Sequence, residues 1–358
     1  MSASSFPPHK GRGAQSNPQN RFDKTGYEIV HPEAIDDWEL TPRKTQYIFE
    51  NSKTIVNKVD SPDVGMLWSA NPYQGCEHGC IYCYARNTHE YWGYSPGLDF
   101  ESRIVVKKDA PLLLRKFLSG KNWKPAVISL SGNTDCYQPI ERQMRITRQL
   151  LEVCLEFRNP VGIVTKNQLV LRDLDLLQEM ARRNLVRVFT SITSLDEDLR
   201  RILEPRTTAY RQRLRVLETL TQAGIPTGVM AAPIIPGLND SHMPAVLEAA
   251  AGAGAAWAGY TIVRLNGAVG MLFKEWLHNT LPDRADKIWN SIREVHQGEV
   301  SSSVFGERKR GTGPMADIIE QQFRLYTRKY GLNTRHMEYN TADFQVPVQN
   351  QGNLFDSF

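Results

Sequence analysis

Residues 71–86 read N-P-Y-Q-G-C-E-H-G-C-I-Y-C-Y-A-R and contain three cysteines in a C-x3-C-x2-C pattern. These cysteines are Cys76, Cys80 and Cys83, and one short loop can hold all three thiolates close together. A [4Fe–4S] cluster is normally held by four cysteine thiolates. Three thiolates leave one iron without a protein ligand, so the pattern predicts an open coordination position for a small molecule.

The spacing resembles that of the radical S-adenosylmethionine (radical SAM) enzymes. In that family the open iron chelates the amino and carboxylate groups of S-adenosylmethionine (SAM). An electron from the cluster then breaks the sulfonium bond and yields a 5′-deoxyadenosyl radical. The resemblance implies a [4Fe–4S] cluster and SAM as cofactors, with Cys76, Cys80 and Cys83 as metal ligands. It also implies that Tyr82, just before the last cysteine, lies near the adenine.

A structural zinc site is the alternative for these cysteines, and it needs a fourth ligand. Two histidines, His78 and His89, are near enough in the sequence to supply one. His78 lies between two of the cysteines, where a tight loop leaves it little freedom to chelate a metal. The cluster is therefore favoured over zinc or a disulfide.

The chain has 358 residues, of which 41% are hydrophobic, enough for one large domain with additions or for two domains. No apolar run is long enough to span a bilayer, and the N-terminus lacks the apolar stretch of a signal peptide. Five cysteines, three of them in one loop, argue against a disulfide scaffold and for a reducing compartment. We expect no membrane partner and a cytoplasmic location.

Composition and periodicity divide the chain into five segments. Residues 1–25 are rich in Ser, Pro, Gly, Asn and Gln, so we expect a disordered N-terminus. Residues 26–65 are expected to form an extended lead-in. Residues 66–265 alternate short apolar runs with amphipathic periods and form the expected core, whereas residues 266–340 have a mainly helical period. Residues 341–358 are expected to be a flexible tail.

Short apolar runs that alternate with helical periods predict the fold of the core. A first strand is expected to end at Ala70, and further strands are expected at residues 126–130, 161–165, 186–190, 228–232 and 260–263. Such alternation indicates β/α units around a parallel sheet. The predicted fold class is α/β. Six strands match the partial (β/α)6 TIM-like barrel of radical SAM enzymes, here with a lead-in and a C-terminal helical extension.

Ligands gather at the carboxyl ends of the strands in barrels of this kind, so the residues after each strand are candidate contacts. The loop of residues 131–141 contains Thr134 and Asp135, which can also cap the following helix. Lys166 follows the third strand and can neutralise a carboxylate, and Ser191 follows the fourth strand.

These positions resemble those of spore photoproduct lyase and its relatives. In those enzymes a lysine, a serine and a hydroxyl in the second-strand loop contact SAM. The resemblance covers residues 66–265 and fits an uncharacterised bacterial, spore photoproduct lyase-like branch. The cofactor-binding residues that it implies are Tyr82, Thr134, Asp135, Lys166 and Ser191.

One position departs from the photoproduct lyase pattern. The lyase returns a hydrogen atom from a cysteine in the second-strand loop, and the resemblance aligns that cysteine with Gly132. Cys136 lies in the same loop and is the candidate hydrogen donor, but it can equally be a small buried hydrophobe. Cys154 lies on an apolar helix face and is expected in the core.

Two basic segments and the C-terminal residues give evidence about the binding partners of the protein. Residues 200–215 hold six arginines and residues 305–311 form a basic loop, so both segments can bind phosphates unless nearby acids neutralise them. Gln351, Leu354 and Phe355 resemble the short peptide that docks bacterial replication and repair proteins on the sliding clamp. In radical chemistry a reduced flavodoxin or ferredoxin would supply the electron.

Three functions are compatible with these residues. The first is a radical SAM enzyme that acts on nucleic acid, with DNA repair as its setting. The second keeps the radical chemistry but acts on a peptide, a protein or a small molecule. The third is a non-enzymatic iron–sulfur protein that senses redox state and does not cleave SAM.

Overall fold

The computed structural model describes residues 9–22, 44–61, 63 and 65–347. Short strands and helices alternate through most of this part of the chain. The strands are β1 Gln46–Phe49, β2 Val56–Lys58, β3 Trp68–Ala70, β4 Tyr73–Gln74, β5 Arg103–Val106, β6 Ile128–Leu130, β7 Val161–Thr165, β8 Val186–Ser191, β9 Thr227–Ile234 and β10 Trp257–Ile262.

The α-helices follow the strands in the order that the periodicity predicted. They are α1 Leu98–Ser102, α2 Ala110–Leu118, α3 Glu141–Met144, α4 Ile146–Glu156, α5 Leu174–Arg182, α6 Glu197–Leu203, α7 Tyr210–Gln222, α8 Met243–Gly252, α9 Ala268–Thr280, α10 Pro282–Glu294, α11 Glu307–Arg310 and α12 Pro314–Lys329. Three 3₁₀ segments, Tyr84–Trp92, Gln168–Asp173 and Asp240–His242, connect them.

A seven-stranded sheet forms the centre of the fold, in the order β10-β9-β8-β7-β6-β3-β2. Strands β3 and β6 to β10 pair in parallel, and β2 adds an antiparallel edge beside β3. The six parallel strands confirm the predicted α/β partial barrel. Because the strands are parallel, the loops that follow them meet at one edge of the sheet.

Alternate residues of the central strands form one fully buried face of this sheet. Val161 and Ile163 of β7 and Val186 and Val188 of β8 are fully buried. They pack with side chains of α4 and α5 into one hydrophobic cluster. Branched apolar side chains favour extended backbone, and the residues between these four positions point to the opposite face, where they are half-buried.

A small sheet precedes the core and carries the cysteine loop. Its order is β1-β5-β4, with β1 parallel and β4 antiparallel to β5. Strand β4 ends at Gln74, two residues before Cys76. The amide of Cys76 donates to the carbonyl of Phe100 in α1, at 2.8 Å. This pairing fixes the start of the loop.

The N-terminal segment differs from its prediction. Residues 1–8 and 23–25 lie outside the described residues, but residues 9–22 have fixed contacts with the core. Ala14 is fully buried, and the side chain of Asn20 donates to the carbonyl of Glu90 at 2.9 Å. Composition predicted disorder because this segment has few large apolar residues. Hydrogen bonds, more than apolar burial, attach residues 9–22 to the core.

The C-terminal extension is helical, as its period predicted. Helices α9 to α12 pack beside the core, with Phe273 and Ile288 fully buried. Residues 341–347 also have fixed contacts, since the amide of Gln345 donates to the carbonyl of Phe157 at 3.0 Å. The clamp-like residues Gln351, Leu354 and Phe355 lie outside the described residues.

Within the described ranges of the chain, no helix has both the length and the apolar character needed to cross a bilayer.

Candidate functional site

One cavity of about 730 Å³ lies at the carboxyl ends of the parallel strands. Its volume is in the range of small-molecule and cofactor sites. The cavity brings together residues that are far apart in the sequence. Each was predicted from the sequence as a site residue, either from the cysteine motif or from its position after a strand. They are Cys76, Cys80, Tyr82, Cys83, Thr134, Asp135, Lys166 and Ser191.

The three loop cysteines share an apolar, poorly hydrated environment. Cys76 and Cys80 are buried, and Cys83 packs against the apolar groups around both of them. Burial raises the pKa of each thiol, and for Cys76 and Cys80 a negatively charged neighbour adds to the effect. A bound metal deprotonates a coordinating thiol outright. A bound cluster would therefore replace the protons that burial keeps on these thiols.

The arrangement of these donors is compatible with a cluster. Within the described ranges, no three His, Cys, Asp or Glu side chains converge closely enough to hold one metal ion. Each cysteine of a [4Fe–4S] cluster binds a different iron, so its thiolates need not meet at one point. Three cysteines on one cavity wall therefore fit three irons of a cluster.

His78, one of the two histidines that could complete a zinc site, already contacts other side chains. His78 Nδ1 lies 3.4 Å from Asp135 Oδ2, and its Nε2 lies 3.2 Å from the side-chain nitrogen of Asn167. Burial lowers the pKa of His78 to about 4, so the ring is neutral. His89 packs against the rings of Tyr94 and Phe100. The described contacts turn His78 toward a neighbouring loop.

A buried ion pair supports the backbone of the cysteine loop. Arg86 donates through Nε and Nη2 to the carbonyl of Cys80, at 3.1 and 2.9 Å. The same guanidinium pairs with Glu101, and both side chains are fully buried. A guanidinium has several donors in fixed directions, so Arg86 can fix the loop and the acid together.

The N-terminal segment closes this ion pair from solvent. The amides of Gly13 and Ala14 donate to the two oxygens of Glu101, at 3.0 and 2.8 Å. A Cβ on Gly13 would lie 1.9 Å from the carbonyl oxygen of Gly79, between two of the cysteines. Gly13 therefore permits the two backbones to touch, and residues 9–22 form part of the support of the cysteine loop.

The loop after β6 is organised by its own polar side chains. Asp135 accepts from the Thr165 hydroxyl, the Lys166 amide and the Tyr137 amide, each at 2.8 Å. The hydroxyl of Thr134 donates to the carbonyl of Tyr73 at 2.6 Å. Both residues line the cavity, and their described hydrogen bonds connect the loops that follow β3, β6 and β7.

A buried acid that the sequence did not single out as a site residue lies behind Tyr82 and Lys166. The Tyr82 hydroxyl donates to the carboxylate of Glu204, and Lys166 Nζ lies 3.9 Å from it. Arg213 Nη2 is closer to this carboxylate, at 2.6 Å, and both side chains of that pair are fully buried. Burial would raise the pKa of Glu204, but the positive charges of Arg213 and Lys166 outweigh it and lower that pKa to about 2.

Ser191 ends β8 and is fixed by the same network. Arg213 Nη1 donates to the carbonyl of Ser191 at 2.9 Å, which leaves the serine side chain on the cavity wall. The segment that carries Glu204 also pairs with the cysteine loop, because the amide of Ile81 donates to the carbonyl of Leu203 at 3.1 Å. One buried network therefore joins the cysteine loop to the ends of β7 and β8.

The candidate hydrogen donor does not reach the cavity. Cys136 is fully buried in the hydrophobic core, and it is not among the residues that line the cavity. Gly132 does line it, but a Cβ there would lie 2.3 Å from the Ser69 hydroxyl oxygen. The hydroxyl of Tyr84 donates to the carbonyl of Gly132 at 2.8 Å. Cys154 is fully buried, as its helix face predicted.

Comparison with known proteins agrees with this site. A model of the radical SAM superfamily matches residues 70–250, just over half of the chain. The chain belongs to the radical SAM superfamily. The matched region contains the cysteine loop, Lys166 and Ser191.

Relatives of this radical SAM enzyme have been sequenced in bacteria and archaea. An uncharacterised protein of Mycobacterium tuberculosis is 34% identical over 236 residues, which are 64% of this chain and 69% of the relative. An uncharacterised protein of Methanocaldococcus jannaschii is 32% identical over 198 residues, which are 55% of this chain and 71% of the relative.

Solved structures of spore photoproduct lyase share the fold. The lyase in complex with dinucleoside spore photoproduct superposes with a TM-score of 0.58 at 17% identity, over 80% of each chain. A mutant lyase with bound SAM and the same dinucleoside gives a TM-score of 0.55, also at 17% identity and 80% of each chain. At this identity the likeness concerns the fold alone.

The basic segment of residues 200–215 in this radical SAM enzyme is largely neutralised by acids. Four of its six arginines form ion pairs, which are Arg200–Glu197, Arg201–Asp198, Arg206–Glu77 and Arg213–Glu204. Arg211 and Arg215 are exposed. The alternative that this segment is a helix surface with local acidic partners therefore accounts for much of its charge.

Proposed function

We propose that this radical SAM enzyme cleaves SAM reductively at a [4Fe–4S] cluster to a 5′-deoxyadenosyl radical that acts on nucleic acid, in DNA repair. The observation that carries the proposal is the shared cavity. Cys76, Cys80 and Cys83 line the same cavity as Lys166 and Ser191, at the carboxyl ends of the parallel strands. Ligands bind at this end of such barrels.

The chain's own residues would divide the work as follows. The three cysteines would hold the cluster, and Arg86 would keep their loop in place through the Cys80 carbonyl. Lys166 presents an ammonium group that suits the SAM carboxylate. The ring of Tyr82, anchored at its hydroxyl by Glu204, offers an apolar face to the adenine. Thr134 and Asp135 order the loop beside the amino-acid end of SAM.

Support for a nucleic-acid substrate comes from the fold and from the tail. The structures that share the fold include a spore photoproduct lyase in complex with dinucleoside spore photoproduct. Gln351, Leu354 and Phe355 match the clamp-docking pattern, and an apolar pair beside a glutamine suits a small hydrophobic pocket. We include in the proposal a reduced flavodoxin or ferredoxin as electron donor and a cytoplasmic location.

Two measurements test the proposal. Anaerobically reconstituted, dithionite-reduced protein is expected to release 5′-deoxyadenosine from SAM. With deuterated single-stranded or duplex DNA, deuterium is expected to appear in the deoxyadenosine, because the radical removes a hydrogen atom from its substrate. Release without deuterium transfer from any nucleic acid would favour a peptide, protein or small-molecule substrate. An absence of release would contradict the radical chemistry.

The tail is tested separately. Removal of residues 349–358 is expected to abolish retention of the protein on an immobilised sliding clamp. Retention of the truncated protein would exclude the tail as the docking peptide and would leave the radical chemistry untouched.

A further inference from the structure

A second group of charged residues lies on the cavity wall, apart from Lys166. Arg264 follows the end of β10, and Lys309 lies in the short helix α11. Both line the same cavity as the cysteines. We call these two residues the mouth cations. They belong to the last parallel strand and the C-terminal extension, whereas Lys166 follows β7.

The mouth cations lack carboxylate partners of their own. In the described part of the chain, Arg264 makes no hydrogen bond or ion pair, and its Nε is buried without a partner. Lys309 Nζ donates to the backbone carbonyl of Asp63 at 2.9 Å, which does not neutralise its charge. The Asp63 carboxylate is taken by Arg308, at 2.6 Å. Three cations therefore share one described carboxylate here.

The environment of these cations raises the energy of their charged forms. Burial, and then the nearby charge of Arg308, lowers the pKa of Arg264. Burial also lowers the pKa of Lys309; the Asp63 carboxylate opposes this effect, and Arg308 and Arg264 add to it. A buried charge is normally paired. A guanidinium with a buried, unpartnered Nε on a cavity wall is therefore suited to an anion from outside the chain.

The wall near the mouth cations is apolar. Met66, Phe189 and Met230 line the cavity together with them. A ligand that matches this wall has a flat or apolar part for the side chains and an anionic part for the cations. A nucleotide within a nucleic-acid strand has both, and a guanidinium can bind two phosphate oxygens at once.

We infer that Arg264 and Lys309 bind a backbone phosphate of the nucleic-acid strand whose base enters the cavity. The inference rests on the proposed function, since it names the side chains that hold the substrate of that same site. The inference therefore distinguishes two anion-binding sites in the same cavity. Lys166 serves the carboxylate of SAM, and the mouth cations serve the phosphodiester.

Binding of a labelled strand tests the inference. The probe is a fluorescein-labelled single-stranded DNA of ten nucleotides, added to the reconstituted full chain with SAM under anaerobic conditions and read by anisotropy. Arg264→Gln and Lys309→Gln are each expected to weaken binding by about tenfold, the value for one charge-assisted hydrogen bond. The double variant is expected to reduce the slope of log affinity against log salt by about 0.7, since a single strand loses ~0.7 per phosphate contact and both cations hold the same phosphate.

Matched variants separate the cavity from the rest of the surface. Arg211→Gln removes an exposed arginine of α7 and is expected to leave DNA affinity unchanged. Arg264→Lys and Lys309→Arg keep the charges and are expected to retain most of the binding. Should Arg264→Gln fail to fold, as judged by circular dichroism, Lys309→Gln carries the test alone. A strand with a neutral methylphosphonate backbone is expected not to bind the mouth cations.

Several results would overturn the inference. These are an unchanged DNA affinity in the double variant, an equal loss in Arg211→Gln, and a wild-type chain that does not bind the strand. Loss of SAM affinity without loss of DNA affinity would assign the cations to the cofactor. Competition by thymidine monophosphate at the concentration of the strand would assign them to a phosphorylated small molecule. Binding is read without reduction, so a failure of SAM cleavage would remove the proposed chemistry and leave this result standing.

Discussion

Replacement of Glu204 by glutamine tests the network behind the cofactor site. The substitution keeps the shape of the side chain and removes its charge. Glu204 is fully buried and lies 2.6 Å from Arg213, whose side chain is also fully buried. The carboxylate also accepts from the hydroxyls of Tyr82 and, at 3.2 Å, Thr193. In Glu204→Gln the guanidinium would remain buried without a counter-charge.

The size of the effect follows from this burial. Removing one partner of a buried ion pair costs about 3–5 kcal/mol, because the other charge stays desolvated and uncompensated. At about 2–4 °C per kcal/mol, such a loss lowers the melting temperature by roughly 6–20 °C. Arg213→Met removes the opposite charge. The double variant is expected to lose less than the sum of the two single losses, with a coupling of about 2–3 kcal/mol.

The assay is thermal unfolding of the reconstituted protein under anaerobic conditions, followed by circular dichroism. Glu179→Gln is the matched control, since it makes the same substitution in an exposed pair with Arg182 and Arg183 on α5. Exposed ion pairs contribute little to stability, so the control is expected to melt like the wild type. A Glu204→Gln variant that melts within 2 °C of the wild type, by the same ~2–4 °C per kcal/mol scale, would refute the reasoning.

Three further substitutions test the cysteine loop and its surroundings. Cys80→Ala is expected to lose bound iron and the release of 5′-deoxyadenosine, whereas Cys154→Ala, in the core, is expected to keep both; equal iron contents would contradict the assignment. Gly13→Ala places a Cβ 1.9 Å from a carbonyl oxygen of the cysteine loop, so iron retention and melting temperature are expected to fall. Gly252→Ala, where a Cβ meets nothing within 4 Å, is its control. Gly132→Ala is expected to destabilise the chain by about 1–3 kcal/mol through overpacking, as measured by urea unfolding. An unchanged unfolding midpoint would show that the loop moves to accommodate the methyl group.

The parallel sheet was predictable because its signal is local. Strands such as β7 are short runs rich in branched apolar residues, and the run at residues 161–165 coincides with β7 at both ends. The loops that follow such strands must meet at one edge, so Lys166 and Ser191 could be placed on a common site from the sequence. The structure confirms the six-stranded parallel core on which that reasoning depended.

The missed features all depend on contacts between distant parts of the chain. The small sheet pairs β1 with β5, more than fifty residues later, and neither strand is long enough to stand out. Residues 9–22 are held by backbone amides on the buried Glu101, which composition cannot reveal. In the sequence, Glu204 is only one of the acids near the arginines of residues 200–215. Its burial follows from Arg213, which reaches back across the start of α7.

The site also shows why a cysteine from the photoproduct lyase pattern would not fit this chain unchanged. A side chain at Gly132 would collide with Ser69, whose hydroxyl accepts from the side chain of Asn71 at 3.0 Å and so holds the entry to the cysteine loop. Cys136 lies in the core on the other side of the same loop. A thiol at Gly132 would therefore require Ser69 to move, and a thiol at Cys136 reaches the cavity only if the loop takes a different path.

The cavity carries two groups of cations, Lys166 and the mouth cations, and these groups can bind different anions. Arg213 lies 2.6 Å from Glu204, whereas Lys166 lies 3.9 Å away, so Arg213 supplies most of the compensation for that carboxylate. The ammonium of Lys166 is therefore available to a carboxylate that enters the cavity. At the mouth, Arg308 takes the carboxylate of Asp63 and leaves Arg264 and Lys309 available. In each case one arginine neutralises the local acid, and the cation beside it is left to bind a ligand.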